Sequence, residues 1–104
     1  MEISIKKLND KVVVPSYAYD GDAALDLSSS IDCVLAPFER KLIPTGVAIE
    51  LPSGYAALII PRSGLAIKQG LSILNSPGLI DSNYRGEIQV IAINLDPKNS
   101  ININ

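Results

Sequence analysis

The sequence predicts an all-β domain of the sandwich or barrel class, with at most one or two short helical turns. Three observations predict it. Val, Ile and Leu gather in short runs of about four to eight residues. Pro, Gly, Asn, Asp and Ser close those runs at close intervals, as turns between strands do. No segment sustains the three-and-four apolar recurrence of an amphipathic helix.

Taken in order, EISIKKL alternates Ile3 and Ile5 with polar residues, the period of a half-buried strand. VVVPSYAY, IDCVLA and ERKLIPT are short apolar runs ended by turn formers. VAIEL sets Val47, Ile49 and Leu51 on one face. YAALIIP is apolar on both faces, the pattern of a strand sandwiched between two layers. RSGLAIKQ is the one stretch with enough helical periodicity for a turn or two. LSILNSPGLID reads as strand, turn, strand, a hairpin with Pro77 and Gly78 in its turn. IQVIAINL and INI supply the last strands. No repeat, low-complexity tract or linker interrupts residues 1–104, so one domain is expected.

Composition narrows the function. Apolar residues make up 47% and charged residues 19% of 104 residues, a globular balance. The net charge of −2 and the lack of a basic run argue against a nucleic-acid binder, whose affinity comes from phosphate neutralisation. Cys33 is the only cysteine and has no internal disulfide partner, which suits a reducing, cytoplasmic setting. The N-terminal MEISIKKLND alternates and carries charge, unlike a signal peptide, and no apolar run is long enough to span a membrane as a helix.

Three clusters carry candidate chemistry. In GDAALDLSS, residues 21–29, Asp26 sits between two leucines; alternation turns it to solvent, or a tight backbone of small residues aims it into a site. In PRSGLAIKQG, residues 61–70, Pro61 ends a strand and Ser63 is placed to cap a helical turn. Gly64 allows close approach of a ligand to the backbone, and Arg62 adds a charged fork suited to phosphate. The same segment also reads as a plain capped connection with Arg62 solvated. It lacks the GxxxxGK spacing of a P-loop. In NSPGLIDSNYRGEI, residues 75–88, Asp81 ends an apolar run and Tyr84 follows three positions later. A hairpin there offers alternating N–H and C=O groups able to read a flat polar ring, or is an ordinary hairpin with Asp81 capping it.

Together and in this order, ALDL, PRSGLA and NSPGLIDSNYRGEI resemble the first three motifs of the trimeric dUTP pyrophosphatase (dUTPase) family. The resemblance covers essentially all of residues 1–104, and PRSGLA and GLIDSNYRGEI at this separation are highly specific. The first motif departs from the family pattern: Ala23-Ala24 stands where Ala-Gly is usual. The resemblance implies a β-clip, a distorted jelly-roll barrel. It implies hydrolysis of dUTP to dUMP and pyrophosphate, which limits uracil incorporation into DNA, with Mg²⁺ as cofactor and a homotrimer as the assembly.

The roles it implies match the chemistry of the side chains. Asp81, a carboxylate ionised at neutral pH, orients and deprotonates the water that attacks the α-phosphorus, and Asp26 stands near metal-bound water or orders a partner arginine. Tyr84 packs on the deoxyribose and leaves no room for a 2′-hydroxyl. Asn75 and the backbone around Gly78 pair with the uracil edge, whose donor and acceptor positions cytosine reverses. Arg62, Ser63 and Gly64 bind the phosphate chain. Mg²⁺ rides on the phosphate oxygens and water, with no protein metal cage and Asp26 at most contacting its waters. Arg85 and Glu87 are structural, with a place at a subunit interface. Motif two of one subunit and motif three of its neighbour share each site.

The family's fourth motif, Arg-x-x-Gln, and its glycine-rich closing arm do not occur within residues 1–104, so a polypeptide of these residues alone is expected to be a poor catalyst. Two other readings stay open at this point. One is a non-catalytic nucleotide-binding or regulatory domain on the same fold. The other is a dCTP deaminase, against which the intact aspartate–tyrosine pair argues.

Overall fold

A computed structural model describes residues 1–104. It contains nine strands and one helix: β1 (Ser4–Lys7), β2 (Cys33–Leu35), β3 (Arg40–Pro44), β4 (Val47–Glu50), β5 (Ala57–Ile59), α1 (Ser63–Gln69), β6 (Leu71–Ile73), β7 (Gly78–Ile80), β8 (Gln89–Asn94) and β9 (Ile101–Ile103). Every ladder is antiparallel. β1 pairs with β4, β2 with β9 and β5 with β7, while β8 lies between β3 and β6. Short strands that change partners in this way form the expected all-β, jelly-roll-like architecture.

The alternation places the core. Val47 and Leu51 are buried with Val12, Ile80 and Ile88, and Ile5, Ile49, Ala57 and Ile59 pack around them. A second cluster joins Leu35, Ile43, Ala92 and Ile101 across β2, β3, β8 and β9. Asn94 is fully buried between these strands and their loops. Its amide donates to the carbonyls of Leu35 (3.0 Å) and Asn99 (2.8 Å), and its Oδ1 accepts from the N–H of Asp96 (2.8 Å). A buried amide with three partners costs little desolvation and holds one register.

Four local expectations are corrected. VVVPSYAY forms no strand; only Ser16 makes an isolated bridge, to Asp26. Pro15 has no N–H to give a ladder, and Val13 and Val14 are exposed. The SILN and LID arms do not form a ladder with each other. β6 runs along β8, extended by the Leu74 N–H to the Ile91 carbonyl (2.9 Å), while β7 pairs with β5. Pro77 and Gly78 do link the two strands, through a cis Ser76–Pro77 bond, but the linker serves two different sheets and Gly78 opens β7.

YAALIIP is covered on one face only: Ala57 and Ile59 pack inward, whereas Leu58 and Ile60 are exposed. Ser63 is not the helix cap. Arg62 holds that position with an extended backbone (φ −81°, ψ 127°) and makes no side-chain cap bond, so Ser63 and Gly64 are the first two helical residues. The helix ends on a glycine in the left-handed conformation, Gly70 at φ 75°.

Candidate active site

β7 brings the third motif to one place. Ile80 is anchored in the core, so its neighbours in the strand, Leu79 and the following Asp81, face outward. Asn75, Gly78, Asp81 and Tyr84 then line a single concavity of about 260 Å³, floored by apolar side chains that include Ile59 and Ile73. Gly78 lies against the floor. A Cβ there would make ordinary contacts, 3.4 Å from Ile59 Cβ and 3.5 Å from Asn75 Nδ2, which places the Gly78 backbone beside the Asn75 amide.

The turn after Asp81 is braced by its own chain. The N–H of Tyr84 donates to the Asp81 carbonyl (3.1 Å). Arg85 Nη1 donates to the carbonyls of Ser82 (2.6 Å) and Tyr84 (3.1 Å), and Arg85 Nε lies 3.8 Å from a Glu50 carboxylate oxygen. Tyr84 Oη donates to the Glu87 carbonyl (2.7 Å). The Glu87 carboxylate in turn accepts the N–H of Gly46 (2.9 Å), and the next residue, Ile88, gives its N–H to Val47 (2.8 Å). A chain of bonds thus runs from the rim of the concavity into β4. Arg85 and Glu87 brace this turn within one chain.

The first two motifs are held elsewhere. Asp26 and Arg62 line a separate concavity of about 350 Å³ with Leu58, Ile60 and Leu65. Ile59, Ile73 and Val90 contribute to both, so the two concavities share the strands β5, β6 and β8. Asp26 and Arg62 form no ion pair; the one ion pair in the chain is Arg85–Glu50. The Asp26 N–H donates to the Ser16 carbonyl (3.0 Å), which fixes its backbone. Ser63 and Gly64 are exposed on the first turn of α1. One chain therefore gathers Asn75, Gly78, Asp81 and Tyr84 but does not bring Arg62, Ser63, Gly64 or Asp26 to them.

No three His, Cys, Asp or Glu side chains converge to hold a metal. The carboxylates at the concavities are Asp81 and Glu87 in the first and Asp26 in the second, too few in either place to cage an ion but hard oxygen groups that suit contact with a hydrated Mg²⁺.

One residue near the site carried no signal of its own in the sequence. Gly86 lies directly beneath the Tyr84 ring. Only the three-dimensional position of that ring makes a glycine there informative.

The dUTPase family model matches residues 10–104. The chain is 55% identical over 100 residues to the deoxyuridine 5′-triphosphate nucleotidohydrolase of Bifidobacterium longum subsp. infantis, an alignment covering 95% of this chain and 63% of the relative. It is 50% identical over 101 residues to the Streptomyces coelicolor protein of the same name, covering 97% and 55%. With the Hydrogenobaculum sp. protein of that name it is 55% identical over 102 residues, covering 97% and 71%. Among solved structures, a mutant dUTPase from phage phi11 of S. aureus, which coordinates a structural Mg(II) ion, matches with a TM-score of 0.85 and 31% identity, over 92% of this chain and 61% of that one. A mutant dUTPase of Staphylococcus bacteriophage 80alpha with dUpNHpp matches with a TM-score of 0.83 and 32% identity, over 90% and 59%. The chain thus spans a little over half to about 70% of the length of these curated relatives. On the match to residues 10–104 and these identities, the chain belongs to the dUTPase family.

Proposed function

We propose that the protein hydrolyses dUTP to dUMP and pyrophosphate at a site whose nucleoside half is the concavity of Asn75, Gly78, Asp81 and Tyr84. The observation that carries this reading is the convergence of those four residues, from one motif, on a single concavity with an apolar floor. A related phage enzyme at 32% identity is known with dUpNHpp, a triphosphate analogue, which supports the same ligand class here.

Each residue then has one task. The Asn75 amide and the open backbone at Gly78 read the uracil edge by complementary hydrogen bonds, so a cytosine would leave buried groups unpaired. Tyr84 packs on the deoxyribose. Asp81 accepts a proton from the attacking water and holds it in line with the α-phosphorus. The Arg62 guanidinium, the Ser63 hydroxyl and the Gly64 N–H take the phosphate chain and balance the charge that develops on it. Mg²⁺, when bound, would supply positive charge to the triphosphate, and Asp26 is the residue of this chain that would meet its hydration water.

The separation of the two concavities supports a homotrimer in which Arg62, Ser63 and Gly64 of one subunit face Asp81 of the next. Exposed apolar residues agree with assembly. Leu58 and Leu79 are register partners on the outer face of the β5–β7 ladder and are 59% and 63% exposed, a cost that a subunit contact removes.

The test is pyrophosphate release by the native protein with dUTP, UTP, dCTP and Mg²⁺, with oligomeric state measured by sedimentation. Turnover of dUTP by a trimer is expected. Binding of dUTP without turnover would favour a regulatory nucleotide-binding role, and ammonia release from dCTP would favour a deaminase.

A further inference from the structure

Tyr84 does not choose its own position. Its ring lies over Gly86, and its hydroxyl is tied to the carbonyl of Glu87 (2.7 Å). A Cβ placed on Gly86 would stand 2.7 Å from Tyr84 Oη, 2.9 Å from Cζ and 3.2 Å from Cε1, closer than carbon atoms approach such groups. Gly86 has no positive φ, so its backbone is one any residue adopts. The need for glycine is purely the space beneath the ring. The obstacle is the far end of a side chain that is itself 46% exposed, so a methyl there moves the ring and leaves the backbone in place. The acceptor for the hydroxyl is fixed independently, because Glu87 is held by Gly46 and Ile88 by Val47.

We propose that Gly86 is a specificity-determining positioning residue: the missing side chain seats the Tyr84 ring at the depth where it excludes a 2′-hydroxyl. The inference deepens the dUTP reading and rests on it. Ala at this position lifts the ring, and the lifted ring no longer fills the ribose position in the same way. Gly86 touches no substrate itself; it acts through Tyr84.

The test is a double-variant cycle in the native protein, comparing wild type, Gly86→Ala, Tyr84→Ala and the double variant for kcat/KM on dUTP and UTP. Gly86→Ala is expected to lower the dUTP-over-UTP preference on the order of tenfold, the scale of a methylene-sized change in a pocket, mainly through KM. In the Tyr84→Ala background the same change is expected to add nothing, because the ring it displaces is gone. An unchanged preference in Gly86→Ala overturns the inference, and so does an equal loss in both backgrounds. If Gly86→Ala does not fold, the double variant must fold for the inference to stand; failure of both shows that the methyl meets something other than the ring. A wild-type protein that binds dUTP without turning it over sinks the functional reading instead. The ring position is then still read by the NMR signal of labelled Tyr84, expected to shift in Gly86→Ala, and an unshifted signal overturns the claim that Gly86 seats the ring.

Discussion

The two halves of the candidate site are built differently. The turn from Asp81 to Glu87 is braced by bonds within its own chain: Tyr84 to Asp81, Arg85 to Ser82, Tyr84 to Glu87, Glu87 to Gly46. The segment carrying Arg62, Ser63 and Gly64 is held by the backbone bonds of its own helix, such as the Ala66 N–H to the Arg62 carbonyl (2.9 Å), and by no side-chain bond to the rest of the chain. Arg62 has no ion-pair partner, the helix that follows buries no residue, and its first turn lacks a side-chain cap. Side-chain bonds within the chain finish only the half around Asp81 and Tyr84. A nucleoside must be met by groups already in place, because selectivity between near-identical bases and sugars requires fixed geometry. On the proposed function, a flexible, highly charged phosphate chain needs charge delivered to it, and a solvated arginine on an exposed turn is suited to deliver it from outside.

The largest effect is expected at Asp81. Asp81→Asn keeps the shape of the rim and removes the proton acceptor. Turnover is expected to fall by about 10²–10⁴-fold, the usual contribution of a general base. Binding of dUMP should stay close to wild type. Pyrophosphate release near the wild-type rate would show that another group activates the water.

Arg62→Ala tests the other half. Loss of one charged donor to the phosphates is expected to lower kcat on the order of 10²–10³-fold with little effect on folding, since Arg62 is exposed and unpaired. The two variants together sharpen the point. If each site takes Arg62 from one subunit and Asp81 from another, co-refolded mixtures of Asp81→Asn and Arg62→Ala contain some intact sites. They are expected to recover activity that neither variant has alone. A mixture as inactive as its components would place both residues of each site in the same chain.

Tyr84→Ala is a smaller, selective change. The dUTP-over-UTP ratio of kcat/KM is expected to fall by about tenfold or more as the space of the 2′-hydroxyl opens. A ratio equal to wild type moves sugar discrimination to another residue.

The fold was largely legible because alternation is a direct consequence of burial on one face. Val47, Ile49 and Leu51 read as one face from their spacing alone, and they are part of one core. Pairing partners were less legible. Ser-Pro-Gly between two apolar runs reads as a hairpin turn, yet nothing local fixes whether the arms bond to each other or to β8 and β5. YAALIIP shows the limit of counting apolar residues: the pattern gives two sticky faces, but a single chain covers only the one carrying Ala57 and Ile59. At the site, Asp81 and Tyr84 stood out through a motif and not through their own chemistry, since an aspartate at the end of a strand has many ordinary uses. Gly86 stayed silent because its meaning lies in a ring two residues back.

The smallest effects separate a brace from an ornament among the acidic neighbours of the turn. Glu87→Ala removes the carboxylate that accepts the Gly46 N–H and leaves that partly buried donor unpaired. A bond to a charged acceptor at such a position is worth about 1.5–3 kcal/mol, so a clear fall in the thermal midpoint is expected. Glu50→Gln removes only the ion pair with Arg85. Its side chains are 65% and 52% exposed and its atoms 3.8 Å apart, so water screens it well. Exposed pairs of this kind contribute about 0.5 kcal/mol or less, which for a domain of this size shifts the midpoint by no more than about 2–4 °C. That shift should shrink further in 1 M salt, where charges are screened over about 3 Å. Arg85 keeps its bonds to Ser82 and Tyr84 without Glu50, so the turn and the sugar preference should not change. If Glu50→Gln instead lowers the midpoint as far as Glu87→Ala, or relaxes the preference for dUTP, then the outer ion pair is part of the brace and the turn is not held by its backbone bonds alone.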